Sequence, residues 1–510
     1  MMHIFRNALR RSSNTLSDLP AYAAPAIHLL FRLLPAMLLA YTACRAYHIS
    51  LTHDECGSFS IWTTYDILGC RKDPNCWGTA NLHWLYVWLM QGTVRLFGSG
   101  ELAIRLPALL GHALYLLFSW RLANRIVPTA PSHHPGYAMA TFVLLNANPF
   151  LLEFHALARG YGLAAAFLMM SLYFVFEWWR SRGFLHLAFA FCGAFLAVLS
   201  SFTQLYFFAA LVATAALTVL TDFLRQEPDR HTSLRSFSFL TIFFGGLLHW
   251  LLQQPISWLQ ENGEFEYGAP SFLDMMHSVV KTSLYGVRYL REYNVELFGG
   301  LFLLLLLPAG IRNFRHLLRK PSDRRAQPAL GLLLLPLAVA SETIVHHHLL
   351  DSEYLVNRTA LLFIPLLATA LAANLPHAKD TGKGLLVASA LCCTIHFARA
   401  AQCSYTSEWG YDAQTRNMLR YLQEKLPREK QIRLGVHWLF HPSGAYYVNH
   451  LPFDSLAEPL AYRKTLRTDD YYDYYYVQPS DTTILRSQGY VVDRQFSWVG
   501  CLMRRKDLPE

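Results

Sequence analysis

Long apolar stretches constrain this chain more than any other feature of its sequence. Segments such as LLFRLLPAMLLAYTAC, FLHLAFAFCGAFLAVLSSF and LFGGLFLLLLLPAGI approach the roughly 20 residues that a helix needs to cross a bilayer. Only 15% of the residues are charged, compared with about a quarter in soluble domains. We therefore predict an α-helical polytopic membrane protein. A transmembrane β-barrel is excluded, because its strands are short and alternate in polarity.

About eleven segments are predicted to span the membrane. They cover residues 24–46, 101–120, 137–157, 160–179, 184–201, 203–222, 237–255, 295–312, 328–346, 359–375 and 384–400. The apolar region between residues 184 and 222 is divided at SSFTQ, because one helix of that length would exceed the thickness of the bilayer.

Basic residues are concentrated in every second loop between these spans. The formal net charge is +9, and RNALRR, RLANR, RQEPDRHTSLR and RNFRHLLRKPSDRR carry much of the excess. Short loops rich in Lys and Arg face the cytoplasm, so the N-terminus is predicted to be cytoplasmic and the C-terminus periplasmic. This pattern explains the charge without a nucleic-acid partner. We expect a multi-pass protein of the inner (cytoplasmic) membrane without a cleaved signal peptide, because no cleavage site follows the long first apolar stretch.

The predicted outer side carries three large segments, residues 48–100, 256–294 and 401–510. The first contains NLHWLYVWLMQGTVRLFG, which is rich in Trp and Tyr and is predicted to lie in the membrane interface. If it spanned the bilayer, every later basic loop would face outward. Residues 1–400 are thus predicted to form the transmembrane domain, and residues 401–510 a soluble extracytoplasmic domain.

The C-terminal segment has the pattern of a small α/β domain. DAQTRNMLRYLQEKL predicts an amphipathic helix, IRLGVHW and YDYYYVQ predict strands, TILRSQGY a short helix and VVDRQFSWVGCLMRR a closing hairpin. The run DDYYDYYYV fits either a sugar-stacking surface or a strand with alternating tyrosines, and the strand is the commoner explanation.

Five of the nine cysteines lie on the predicted outer side. Cys70 and Cys76 bracket a short turn, CRKDPNC, and are candidates for a disulfide in an oxidising compartment. Cys403 with Cys501 is a second candidate pair. A metal site built on Cys56 has weak support, because neither CxxC nor HxxxH spacing is present.

Ionisable and polar residues gather where the predicted spans reach the outer face. They are His53, Asp54, Glu55, His83, Arg105, His155, Arg159, Tyr161, His348 and Arg358. Ionisable groups at the membrane are costly and usually functional. Arginine binds phosphate through paired, charge-assisted hydrogen bonds. A neighbouring carboxylate can accept a proton from an attacking hydroxyl. The combination favours group transfer from a lipid-linked phosphate.

Each signal also has a structural explanation. Asp54 and Glu55 could cap the helix that follows them, since carboxylates interact favourably with helix N-termini. A single interfacial arginine is more often a snorkelling anchor than a ligand. An experiment can distinguish a catalytic role of the two acids from a helix-capping role. If Asp54 is functional, Asp54→Asn abolishes activity and leaves thermal stability nearly unchanged.

Four motifs resemble the GT-C superfamily of integral-membrane glycosyltransferases, in the branch of protein O-mannosyltransferases and lipid A aminoarabinose transferases. They are LTHDECGSF, ANLHWLYVWLMQGTVRLFGSGELAIRLPALLG, NPFLLEFHALARGYGLAAAFLMMSLY and EYLVNRTALLFIPLL, and they occur in the family's order. The resemblance covers most of the first 180 residues and a patch near residues 350–370. The acid pair combined with RLP and ARGYGL is more specific than any acid pair alone.

The resemblance implies a polyprenyl-phosphate sugar donor and inverting transfer to a hydroxyl, with residues 48–100 as the catalytic loop. Asp54 would be the general base, and Glu55 would orient the acceptor or a cation. Arg105, Arg159, Arg358 and Tyr161 would bind the donor phosphate. His53, His83, His155 and His348 are candidate substrate or acceptor ligands; His83 replaces a proline common in related sequences. No cofactor is implied with certainty, and a divalent metal (Mg or Mn) remains open because superfamily members differ in this respect.

Two other functions use similar features. A transporter or flippase of lipid-linked sugars needs charged groups at mid-membrane depth, whereas these lie at the outer edge. A polysaccharide polymerase or ligase has many spans and a large outer loop, but the early acid pair argues against it. The resemblance leaves open whether a hexose or a pentose is moved, and whether the acceptor is a glycan, a lipid or a protein.

Overall fold

The structure is a computed structural model that describes residues 23–66, 69–77, 79–126, 135–289, 293–319, 326–376, 379–426, 431–451, 456, 460, 462–463, 466, 471–496 and 499–508. The predicted cytoplasmic N-terminus lies outside the described residues, as does part of the basic loop before residue 326.

The described part of residues 23–400 is mostly helical. Its helices are α1 (Ala23–His48), α2 (His53–Trp62), α3 (Trp84–Phe97), α4 (Glu101–Ile126), α5 (Pro135–Asn146), α6 (Pro149–Phe154), α7 (Gly160–Ser181), α8 (Phe184–Ser200), α9 (Gln204–Leu224), α10 (Arg230–Glu261), α11 (Phe272–Leu284), α12 (Asn294–Arg319), α13 (Gln327–Leu350), α14 (Phe363–Asn374) and α15 (Lys379–Ala400).

Eight of these helices are long and apolar enough to cross a membrane: α1, α4, α7, α9, α10, α12, α13 and α15. The other three predicted spans correspond to shorter helices. α8 has 17 residues and α14 has 12, and the span predicted at 137–157 is divided into α5 and α6. The division falls where Asn148 caps α6 by accepting a hydrogen bond from Leu151 N at 3.0 Å, followed by Pro149 at the first helical position. The predicted multi-pass helical architecture is confirmed.

The segment between α1 and α4 folds against the helical bundle. α3 has 14 residues, which is too short to cross a bilayer, and it packs against α4, α7 and α8. Between α2 and α3, Cys70 and Cys76 form the predicted disulfide with Cα atoms 5.5 Å apart.

The C-terminal part contains α16 (Thr415–Lys425), α17 (His441–His450), α18 (Thr482–Ser487) and five strands, β1 (Leu434–His437), β2 (Tyr462–Arg463), β3 (Tyr474–Val477), β4 (Tyr490–Gln495) and β5 (Cys501–Arg505). The strand order is β2-β1-β3-β5-β4. β1 is parallel to β2 and β3, whereas β5 is antiparallel to β3 and β4. The predicted helices, strands and closing hairpin are confirmed, whereas α17 and the short strand β2 were not predicted.

Two expectations for this part are now decided. All four residues of β3 are buried, so its tyrosines are interior strand residues and not a sugar-stacking surface. Cys403 and Cys501 both have free thiols, so the disulfide predicted between them is wrong. Cys501 is buried in β5, where it lies opposite Val477.

The C-terminal part packs directly on the segment that follows α1. α17 packs against α2, and the Tyr447 hydroxyl accepts a hydrogen bond from Leu51 N at 2.6 Å. Arg416 pairs with Glu101 at 2.8 Å. A single hydrophobic cluster runs from Trp178 in α7 to the sheet. This packing covers the acid-containing helix α2 and determines the surroundings of the candidate site.

Candidate active site

The two adjacent acids at the start of α2 have different partners. Thr52 is the N-cap of α2 and forms a capping box with Glu55: the Thr52 hydroxyl accepts from Glu55 N at 3.4 Å, and the Glu55 carboxylate accepts from Thr52 N at 2.8 Å. The capping explanation therefore holds for Glu55. Asp54 takes no part in this capping box.

Glu55 and Arg105 form a fully buried ion pair between α2 and α4. Arg105 Nε and Nη2 each donate to a Glu55 oxygen at 2.7 Å, and Ala158 N donates to the same carboxylate at 2.6 Å. The remaining Arg105 hydrogen bonds go to carbonyl oxygens at the end of α1, including Ala46 O at 2.7 Å. The pair thus joins α1, α2, α4 and the turn before α7, and it leaves every Arg105 nitrogen occupied.

Asp54 faces Arg159, the residue before α7. Asp54 Oδ2 lies 3.5 Å from Arg159 Nη2, with 16% of the Asp54 side chain and 1% of the Arg159 side chain exposed. Arg159 is held by hydrogen bonds to Ser58 Oγ and Asn81 Oδ1, both at 2.8 Å. The structure therefore brings the predicted acid and the predicted phosphate ligand together in a protected position.

The ARGYG turn depends on a glycine for this arrangement. A Cβ atom on Gly160 would lie 2.0 Å from Ser200 O and 2.7 Å from the Cβ of His83. Only glycine permits the start of α7 to approach the end of α8 and the start of α3 so closely. This approach places Arg159, Tyr161 and His83 at one end of the bundle.

His83 is buried beside Tyr161, with ring centroids 4.6 Å apart. Burial lowers the pKa of His83 well below its ordinary value, and the charge of Arg159 lowers it further, so the imidazole is neutral. Its Nδ1 lies 2.9 Å from Ser200 O, and a carbonyl can only accept. The proton must therefore be on Nδ1, which leaves Nε2 as a hydrogen-bond acceptor.

Arg358 reaches the same region from the short 3₁₀ helix before α14, and its partner is Glu408. Arg358 Nη1 donates to Glu408 Oε2 at 2.6 Å, and Arg358 N donates to Oε1 at 3.1 Å. Burial alone would lower the pKa of Arg358, but electrostatic interactions with Tyr161 and Glu408 raise it above its ordinary value. Asp54 acts in the same direction. Glu408 lies after the last predicted span, and no sequence motif identified it.

Several polar atoms of this cluster are buried and have no hydrogen-bond partner, although Asp54 Oδ2 lies in the ion pair with Arg159. Within the described part of the chain, Asp54 Oδ2, His83 Nε2, Arg159 Nε and Arg358 Nε have no hydrogen-bond partner. Buried polar groups are normally satisfied, so such atoms point to a ligand or to bound water. We define these four residues with Tyr161 and Glu408 as the candidate site.

The remaining predicted ligands lie in other positions. His53 contacts the C-terminal part, with Nδ1 2.9 Å from Leu439 O. His155 is fully buried between helices, stacked on His112 with centroids 4.5 Å apart. His348 is exposed at the end of α13, and its ring lies 5.2 Å from that of His347.

The donor set of the candidate site does not fit a divalent cation. Among the described residues, no group of three or more His, Cys, Asp and Glu side chains could hold a metal ion. The two acids of the site, Asp54 and Glu408, each face an arginine. Neighbouring guanidinium groups disfavour a bound cation and favour an anion.

The fold and the site define a polytopic membrane protein with paired acids and arginines at one end of its helical bundle. The structure is similar to two crystal structures of ArnT from Cupriavidus metallidurans. With the form bound to undecaprenyl phosphate the TM-score is 0.51 at 12% identity, over 93% of this chain and 97% of that chain. With the apo form it is 0.52 at 13% identity, over 94% and 98%. No family model matches the sequence, and no curated protein does.

The likeness to ArnT extends over nearly the full length of both chains and shows the fold at low identity. The predicted fold, a helical membrane bundle followed by a small α/β part, is confirmed, and the chain shares this fold with the two ArnT structures.

Proposed function

We propose that this protein is a membrane glycosyltransferase that moves a sugar from a polyprenyl-phosphate donor to a hydroxyl acceptor. The observation that carries the proposal is the Asp54 carboxylate 3.5 Å from the guanidinium of Arg159, with Arg358 in the same cluster. A carboxylate beside two arginines provides a base next to a phosphate-binding position. The fold supports the proposal, since one ArnT structure contains undecaprenyl phosphate.

The donor phosphate would bind between Arg159 and Arg358. Both side chains have a buried Nε without a hydrogen-bond partner, so each has donor capacity for an anion. Arg105 has no free donor, since its nitrogens bind Glu55 and the end of α1. In this proposal Arg105 and Glu55 position α2, and therefore Asp54, without contacting the donor.

The chemical step follows from these positions. Asp54 accepts the proton of the acceptor hydroxyl as its oxygen forms a bond to the anomeric carbon. The bond between that carbon and the phosphate oxygen breaks, and its electron pair leaves with the phosphate. Arg159 and Arg358 stabilise the negative charge that develops on the leaving group. Direct displacement inverts the anomeric centre. His83 Nε2 is available to accept a hydrogen bond from a sugar hydroxyl.

The basic loops between the helices favour an orientation with this site on the periplasmic face of the inner membrane. A lipid-linked donor cannot leave the membrane plane, so the base must be near the bilayer surface. The candidate site includes residues at the start of α2 and the start of α7, and the ends of α1 and α7, two helices long enough to cross a membrane, support a position near the bilayer surface.

The test is an assay of the purified full-length protein with labelled polyprenyl-phosphate sugars and a panel of hydroxyl acceptors. Release of polyprenyl phosphate with formation of a glycoside, lost in Asp54→Asn, supports the proposal. Movement of the labelled lipid across a vesicle membrane without a glycosidic product would identify a flippase and refute it. Mass spectrometry of envelope glycans with and without the protein would then identify the sugar and the acceptor.

A further inference from the structure

Glu408 is held against Arg358 by two hydrogen bonds, to Nη1 at 2.6 Å and to the backbone N at 3.1 Å. The pair is largely protected, with 11% of the Glu408 and 23% of the Arg358 side chain exposed. The Arg358 guanidinium also lies over the Trp409 ring, 5.3 Å from its centroid. A carboxylate thus occupies a guanidinium that belongs to the proposed phosphate-binding pair.

The segment that carries Glu408 is anchored by a separate buried network. Ser407 N donates to both oxygens of Glu153, at 3.0 and 2.8 Å. Glu153 is fully buried, pairs with Arg45 at 3.1 Å and accepts a hydrogen bond from the Tyr285 hydroxyl. The backbone beside Glu408 is therefore held in place by α1 and α6.

A carboxylate and a phosphate use the same donors of a guanidinium group, so one must displace the other. Two anions at one arginine also repel each other, and Asp54 adds a third negative charge nearby. We propose, on the basis of the proposed function, that Glu408 is an internal competitor of the donor phosphate: it occupies Arg358 in the donor-free protein, and the phosphate displaces it. Glu408 then weakens binding of the donor and of the product polyprenyl phosphate alike, which promotes product release.

The test measures the Kd of undecaprenyl phosphate for the full-length protein in lipid nanodiscs. Glu408→Gln keeps the shape of the side chain and removes its charge. We expect a Kd lower than that of the wild type by about tenfold, as for the loss of one competing charge-assisted hydrogen bond. Glu408→Asp keeps the charge and should stay near the wild-type Kd. Glu101→Gln is the matched control, because Glu101 forms a similarly exposed pair with Arg416 at 2.8 Å.

An unchanged or higher Kd in Glu408→Gln, with wild-type melting temperature, would overturn the competitor role. Failure of the proposed function looks different: the wild type would not bind undecaprenyl phosphate, or neither Arg159→Gln nor Arg358→Gln would weaken binding. In turnover, Glu408→Gln should lower kcat under conditions where product release is slow. A kcat equal to or higher than that of the wild type under those conditions would contradict the proposal.

Discussion

Asp54 and Arg159 face each other at 3.5 Å, whereas the next residue, Glu55, is bound by Arg105 at 2.7 Å through both of its oxygens. Consecutive residues at the start of a helix point about 100° apart, which separates the two acids. Glu55 is fully engaged by the capping box of α2 and by Arg105. The other retains a buried oxygen without a hydrogen-bond partner. This division is the basis for assigning the chemistry to Asp54 alone.

The first prediction concerns Asp54→Asn. The variant keeps the shape of the side chain but cannot accept a proton, so sugar transfer should fall at least about 100-fold, within the usual contribution of general-base catalysis. Stability should change little, because the Asp54–Arg159 contact is long, at 3.5 Å, Arg159 keeps its hydrogen bonds to Ser58 and Asn81, and Glu55 keeps its own contacts. Transfer rate and melting temperature measured on the same preparation test both expectations.

Asp351→Asn is the control for this substitution. Asp351 is exposed and has a positive φ of 50°, a conformation that Asn also tolerates. The Asp351→Asn substitution should leave both the rate of sugar transfer and the melting temperature unchanged. Retention of most activity in Asp54→Asn would show that another group is the base.

The second prediction concerns the buried ion pair. Removing one member, as in Glu55→Gln or Arg105→Gln, leaves an uncompensated buried group and should lower the free energy of unfolding by about 3–5 kcal/mol. The partly exposed pair Glu101–Arg416 provides the comparison, and Glu101→Gln should cost no more than about 1 kcal/mol. Thermal unfolding in one detergent measures all three. Equal losses for the buried and the exposed pair would mean that Glu55 and Arg105 do not hold α2 in place.

The third prediction concerns the arginines of the candidate site. Arg159→Gln and Arg358→Gln each remove a charge-assisted donor, worth about 1.5–3 kcal/mol, so the Kd of undecaprenyl phosphate should rise by about 10- to 100-fold. Arg416→Gln removes an arginine that pairs with Glu101 and should have no effect on this Kd. Binding measured at two ionic strengths gives a further check, because salt should weaken the wild type more than either site variant. A Kd unaffected by both site substitutions would place the phosphate elsewhere.

The sequence predicted the fold well where periodicity and length carry the signal. Eight long apolar helices and four of the five described strands of the C-terminal sheet lie where hydropathy and alternation placed them; β2 was not predicted. The division at Asn148 and Pro149 was missed because the segment is apolar on both sides. Asn148 and Pro149 are a recognisable helix start in the sequence, but the span at 137–157 was assigned from hydropathy alone.

The candidate site was predicted in part. The sequence TxxE at Thr52 and Glu55 is a capping-box pattern and could have separated the two acids in advance. Glu408 could not be found in this way, because it lies 50 residues from Arg358 with no motif around it. Long-range packing of this kind leaves no local signal in one sequence.

The last prediction concerns Asp412, which ties the C-terminal part to α2. It is fully buried, and its carboxylate accepts hydrogen bonds from His53 N at 2.6 Å and Ser443 Oγ at 2.5 Å. Burial raises the pKa of Asp412 from 3.8 to about 8, against the opposing effect of these hydrogen bonds. Between these two pH values the folded protein retains a proton that the unfolded chain has released. The free energy of unfolding should therefore fall as the pH rises through this window and level off above about 8.

Asp412→Asn removes this titration while keeping an acceptor for His53 N. Melting temperatures between pH 5 and pH 9 should therefore decline less steeply in Asp412→Asn than in the wild type, with the two slopes becoming equal above about pH 8. Asp351→Asn, an exposed site, should follow the wild-type curve. Parallel curves for wild type and Asp412→Asn would show that Asp412 is ionised throughout. The contact between the C-terminal part and α2 would then not depend on its protonation.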